Sequence, residues 1–100
     1  MADRETYEYY MREAEDAYSE HEYYKSKAEE ACSNGEIYMR SADSHEYYGR
    51  ELDDETHLRE AQEDRDTARM YFSEAEDYRR RADEYYDKYQ NYRSQADYYA

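Results

Sequence analysis

The chain has 100 residues, so we expect one domain at most. Its net charge of −14 at pH 7 produces a negative electrostatic field that repels phosphates and anionic lipids, so we expect no nucleic acid or membrane partner. Only four residues are Leu, Ile, Val or Phe, a composition that by itself is typical of disordered chains. Against disorder stand the absence of Pro, only two Gly and an aromatic content of 18%, which includes seventeen Tyr. We therefore expect a helical protein, with a disordered monomer that folds only on association as the alternative.

A fourteen-residue repeat fills the first half of the chain and predicts its first helix. Within each copy a Tyr precedes an Ala by four residues, and these pairs are Tyr10 with Ala14, Tyr24 with Ala28, and Tyr38 with Ala42. Because fourteen residues are two heptads, the repeat places one stripe along a helix that we expect near residues 4–49. Small residues dominate one row of this stripe and Tyr the other, which predicts Tyr rings of one helix packing over Ala of a neighbour.

The stripe loses its phase after Leu52, because the next position of the seam follows after five residues instead of seven. Gly49 is a candidate helix stop, and Asp53 and Asp54 are candidate caps for a following helix. These signals predict a turn near residues 50–53 and a single-domain helical hairpin. Three helices or one bent rod remain alternatives, as does a turn at Ser33-Asn34-Gly35, although the stripe runs unbroken across Gly35.

Plain heptads fill the second half and predict a helix near residues 54–99. Its Ala row is Ala61, Ala68, Ala75, Ala82 and Ala96, with Tyr89 in the remaining position. A parallel Tyr row consists of Tyr71, Tyr78, Tyr85, Tyr92 and Tyr99. These two rows and the Tyr and Ala pairs of the first helix form the predicted assembly seam. The predicted fold class is all-α, a long helical hairpin or coiled coil with a Tyr/Ala heptad seam that packs into a multi-helix assembly.

Further apolar residues widen the stripe beyond what one partner helix covers. In the first half they form two rows, Tyr9, Tyr23 and Ile37 in one, and Met11, Tyr18, Cys32 and Met39 in the other, and in the second half they include Phe72 and Tyr86. A face this broad indicates contact with more than one helix.

Two tracts of opposite charge are candidates for setting the register between copies. The basic tract is Arg79, Arg80 and Arg81, and the acidic tract spans residues 51–66 and includes Asp53, Asp54 and Glu55. They predict head-to-side contacts that fix register more than they add strength, since exposed ion pairs contribute only about 0–1 kcal/mol each.

Residues suited to catalysis or metal binding are few. His21 and His45 occupy seam positions, where a packed polar residue is the expected role. Asp54 and His57 form one imperfect copy of the carboxylate and His spacing of helical di-iron sites, which require it twice, so we favour a capped, solvated turn. No nucleophile triad, phosphate loop or apolar carboxylate pair is visible. We therefore expect no enzyme activity, no metal and no cofactor.

The leading hypothesis is a structural protein that assembles with copies of itself into a helical bundle or filament. The alternative is an acidic binding module that imitates nucleic acid and engages a basic protein. No signal peptide or transmembrane segment is visible and one Cys is present, so an intracellular location is the default expectation. A natural duplication and a designed sequence both remain open.

Overall fold

Two long helices make up the computed structural model of the protein, which describes residues 2–100. Helix α1 spans Ala2–Glu51 and helix α2 spans Glu55–Tyr99, and no strand occurs among the described residues. The two helices pair with each other, so the predicted all-α helical hairpin is confirmed. Over the described residues, neither helix holds an apolar stretch long enough to cross a membrane.

The chain reverses direction at residues 52–54, slightly later than the predicted turn at 50–53. The end of α1 is closed by the Asp54 N–H, which donates to the Gly49 carbonyl over 2.9 Å, while Asp53 adopts a left-handed conformation with φ 52°. The Asp54 carboxylate then accepts the Thr56 N–H at 2.9 Å and caps α2. One residue thus takes part in ending the first helix and starting the second.

Asp53 occupies a backbone conformation that favours Gly. We expect Asp53→Gly to raise the free energy of unfolding by up to about 1 kcal/mol, because Gly reaches this conformation without the steric cost of a Cβ. Asp53→Ala should lower it, since Ala keeps the Cβ and lacks the polar side chain that helps Asp to tolerate the left-handed region. Urea denaturation at one protein concentration measures both, and a stabilising Ala variant would contradict this account of the turn.

Ala and Gly alone form the buried core, because every described residue that is buried belongs to one of these two types. Contacts divide the chain into two units, the first formed by the chain up to Ser26 with Tyr78–Ala100 and the second by Lys27–Asp77. The buried Ala are Ala14, Ala17, Ala82 and Ala96 in the first unit, and Ala28, Ala31, Ala42, Ala61, Ala68 and Ala75 in the second. Such small side chains let the two helices of each unit approach closely. The single-domain organisation stays a prediction.

The two Gly of the chain make room for large side chains of α2 in the second unit. A Cβ at Gly35 would lie 2.8 Å from Cε1 of Phe72, and a Cβ at Gly49 would lie 2.7 Å from Cδ2 of Leu58. Both distances are too short for a real Cβ, so a larger residue would displace its neighbour. The alternative turn that ended at Gly35 is therefore wrong: this segment is helical, and Gly stands there for packing.

Candidate assembly surface

Stacked Tyr rings line one side of the contact between the helices. In the first unit the Tyr24 ring lies 5.7 Å from that of Tyr85, at an interplanar angle of 13°, and 6.1 Å from that of Tyr78. Offset stacking at this distance is a favourable geometry for aromatic pairs. The corresponding pairs are Tyr10 with Tyr99 at 5.9 Å and with Tyr92 at 6.4 Å in the first unit, and Tyr38 with Tyr71 at 5.6 Å in the second.

All members of the predicted assembly seam lie along this contact, within one chain. Its Ala members are buried and its Tyr members are half-buried. The packing of rings over Ala stays a prediction. The structure shows ring against ring, which the sequence did not lead us to predict. The role of these residues between copies stays a prediction, and the side chains left for another molecule lie outside the seam.

Two cations lie over rings of the Tyr stacks in the first unit. The Arg81 guanidinium lies 5.6 Å from the centre of the Tyr24 ring, and the Lys88 ammonium lies 4.7 Å from that of Tyr85. Both distances fit cation–π contacts. Of the other residues predicted to set register between copies, Asp54 caps α2, and Arg79, Arg80, Asp53 and Glu55 are exposed. Arg81 and Asp54 thus have contacts within the chain, and the register role of this set stays a prediction.

In each unit, we call the side that flanks the buried Ala and Gly residues, away from the Tyr stacks, the Ala-side face. It is formed by Met11, Tyr18, Lys25, Arg79, Tyr86 and Arg93 in the first unit, and by Cys32, Met39, Glu46, Leu58, Arg65 and Phe72 in the second. Most of these positions follow a buried Ala or Gly of their own helix by four residues, which places them beside that row. Several apolar members stay partly exposed: Tyr18 at 44%, Leu58 at 41%, Tyr86 at 39% and Met39 at 36%.

In the first unit the Ala-side face is an aromatic cluster around His21. The Tyr18 ring lies 5.1 Å from that of Tyr89, and the His21 ring lies 5.1 Å from that of Tyr86. Nδ1 of His21 lies 2.8 Å from the Ala82 carbonyl oxygen. Because a carbonyl only accepts, this nitrogen carries the proton and donates it across the two helices. His21 therefore acts as a packed polar residue at the seam.

Charged neighbours shift two pKa values at or beside the Ala-side face. The Glu22 carboxylate, by its charge and then by a hydrogen bond, raises the pKa of Tyr18. The hydrogen bond from Arg65, followed by the charge of Arg50, lowers the pKa of Glu46. Glu22 of α1 therefore lies within reach of the Tyr18 hydroxyl, and Glu46 of α1 lies within reach of the Arg65 guanidinium.

Two regular rows account for the charges at this face. On α2, apolar residues alternate with Arg at every seventh position: Leu58, Arg65, Phe72, Arg79, Tyr86 and Arg93. On α1, the acidic row consists of Glu8, Glu15, Glu22, Glu29, Glu36 and Asp43. The acidic row borders the face, since Glu15 lines a shallow pocket with Tyr18 and Asp43 lies 3.8 Å from Arg65. The sequence analysis named Phe72 and Tyr86, but it did not identify their alternation with Arg on α2. This alternation appears when every seventh residue of the helix is compared.

No protein family model, curated protein or solved structure matches this chain.

Proposed function

We propose that the protein is a structural, self-associating helical protein and that a second copy of the chain covers the Ala-side face. The main support is the set of partly exposed apolar side chains that recur at heptad positions beside the buried Ala row, among them Tyr18 at 44% and Leu58 at 41%. A second pair of helices seated there would remove these side chains from water, which contributes about 25 cal/mol for each Å² of apolar surface.

The charge pattern supports a copy of the same chain as the occupant. When α1 of one copy lies over α2 of the other, the acidic row of the first meets the Arg residues that alternate along the second. Arg79 and Arg93 are exposed and have no ion pair within the described part of their own chain. Exposed pairs contribute only about 0–1 kcal/mol each, so they would select this orientation while burial of the rings supplies the affinity.

Pairing of two copies about a twofold axis gives a closed four-helix bundle. A filament requires a further surface that does not close on itself. The row Tyr9, Tyr23 and Ile37 of α1, with exposed fractions of 52%, 54% and 55%, supplies such a surface. The proposed four-helix bundle is therefore the basic assembly, and a filament would be built by joining such bundles.

The double substitution Tyr18→Glu with Tyr86→Glu tests the proposal. Sedimentation equilibrium of the unaltered protein, in moderate salt that screens the net charge, is expected to give a mass above that of one chain. The double variant should give the mass of one chain, because association would bury two new carboxylates without partners. Circular dichroism should show unchanged helix content, since both side chains are already partly exposed.

A matched control separates the face from the added charge. Tyr47→Glu with Tyr98→Glu adds the same charge at side chains that are 60% and 84% exposed and lie outside the Ala-side face. This variant should associate like the unaltered protein. A single-chain mass for the unaltered protein at high concentration, or equal behaviour of the two double variants, would sink the proposal.

The acidic row is the observation that favours the alternative, an acidic module bound by a basic protein. Charge reversal at Arg79 and Arg93 to Glu distinguishes the two functions. If the protein self-associates, the reversal should weaken the association. If it is an acidic module, the variant should bind a Lys-rich peptide more tightly than the unaltered protein, and both proteins should show a single-chain mass.

A further inference from the structure

Three groups that can ligate a metal converge beside the turn, within the unit Lys27–Asp77. The Nδ1 atoms of His45 and His57 lie 3.1 Å apart. Oε2 of Glu60 lies 3.1 Å from Nδ1 of His45 and 3.8 Å from Nδ1 of His57. All three side chains are partly exposed, so an ion has access from solvent.

We propose that His45, His57 and Glu60 bind one divalent transition-metal ion, with Zn²⁺ as the expected occupant. Two ligand atoms bound to Zn²⁺ at 2.0–2.1 Å with tetrahedral angles lie about 3.3 Å apart. The three separations of 3.1, 3.1 and 3.8 Å come close to this value. Two imidazoles and one carboxylate are also a donor set of zinc sites with three protein ligands, in which water takes the fourth position. Mg²⁺ and Ca²⁺ prefer oxygen ligands alone and fit these residues less well.

The second nitrogen of each imidazole supports the same assignment. Nε2 of His45 lies 3.8 Å from Oδ2 of Asp64, and Nε2 of His57 lies 4.0 Å from Oδ2 of Asp54. Asp64 is held in place by the Ser41 hydroxyl, which donates to Oδ2 over 2.6 Å. Metal-bound His residues commonly present their free N–H to a carboxylate, which orients the ring and selects its tautomer. When Nδ1 of each ring binds the metal, Nε2 of each ring faces a carboxylate in this way.

A shared proton is the alternative explanation of the short contacts. A proton on Nδ1 of His45 can be donated towards both His57 and Glu60. A bound ion differs from a shared proton because it accepts a lone pair from each of the three ligand atoms at once. It thereby joins the end of α1 to the start of α2. This effect lies within one chain and does not depend on self-association.

Titration calorimetry with Zn²⁺ in a buffer that does not chelate metals tests the proposal. We expect one ion per chain and loss of this binding in His57→Gln. Asp64→Asn, which alters only the orienting carboxylate, is expected to weaken binding about 10- to 100-fold. At a hundredfold excess of free Zn²⁺ over its Kd, the melting temperature should rise by roughly 10–20 °C. Co²⁺ as a second probe should give the visible absorption of a tetrahedral site.

The control is Glu63→Gln, which removes an exposed carboxylate of the same helix and should leave binding unchanged, whereas Glu60→Gln should weaken it. Circular dichroism of each variant before metal addition verifies that it is folded. Binding of several ions with equal strength in all variants would show attraction to the acidic surface alone and overturn the proposal. Lack of any Zn²⁺ binding by the unaltered chain would overturn it as well and leave the shared proton.

Discussion

Replacing Tyr24 by Ala is expected to lower the free energy of unfolding by about 2–4 kcal/mol, somewhat less than the cost of truncating a fully buried aromatic residue. The Tyr24 ring stacks on Tyr78 and Tyr85, and the Arg81 guanidinium lies over it, so one truncation removes contacts with three side chains of α2. Each aromatic pair contributes about 0.5–1.5 kcal/mol beyond its buried area. Urea denaturation followed by circular dichroism measures the change. All variants are compared at one protein concentration, because association adds to apparent stability.

Two controls separate the ring from its hydroxyl and from general effects of losing a Tyr. Tyr24→Phe keeps the ring and should stay within about 1 kcal/mol of the unaltered protein. Tyr98→Ala removes a side chain that is 84% exposed and should change stability by less than about 0.5 kcal/mol. Equal losses in Tyr24→Ala and Tyr98→Ala would contradict the importance of the stacked rings.

Ala75→Leu is expected to lower the free energy of unfolding by about 1–3 kcal/mol through overpacking. Ala75 is only 1% exposed, and every described residue that is buried is Ala or Gly. Leu and Ala have similar helix propensities, so the loss reports on the space between the helices and not on helix formation. Thermal unfolding should show a melting temperature lower by roughly 5–20 °C.

Ser73→Leu is the matched control for this substitution. Ser73 is exposed on the same helix and in the same unit, so the added side chain meets solvent there. Its melting temperature should change little. If Ala75→Leu were as stable as Ser73→Leu, the helices would have room for larger side chains, and the close approach that we infer from the Ala row would be wrong.

Together these substitutions address how a chain with four Leu, Ile, Val or Phe residues forms a fold. The buried row holds small residues that contribute little apolar area of their own. The larger contribution comes from half-buried Tyr rings, which each carry about 150–250 Å² of surface and stack across the helices. Tyr thus takes the place of Leu in this hairpin.

The sequence by itself determined the helices, the position of the turn to within about two residues, and the row that becomes buried. The reason is that heptad spacing fixes which residues share a face of one helix, whatever that helix packs against. The loss of phase after Leu52 marked the turn for the same reason. In one continuous helix, the stripe after Leu52 would lie on a different face from the stripe before it. Ala61, Ala68 and Ala75 were therefore predicted as a seam, and all three are buried.

Only the tertiary structure decided which residues meet across the two helices. Periodicity within a helix says nothing about the axial offset between helices, which here depends on a short turn and on the left-handed conformation of Asp53. In the second unit that offset brings His45 to His57, two residues that heptad spacing assigns to a packed seam and a solvated turn. In the first unit Tyr24 stacks on two rings of α2. The candidate metal ligands and the stacked rings therefore depend on distances that no spacing along a single helix contains.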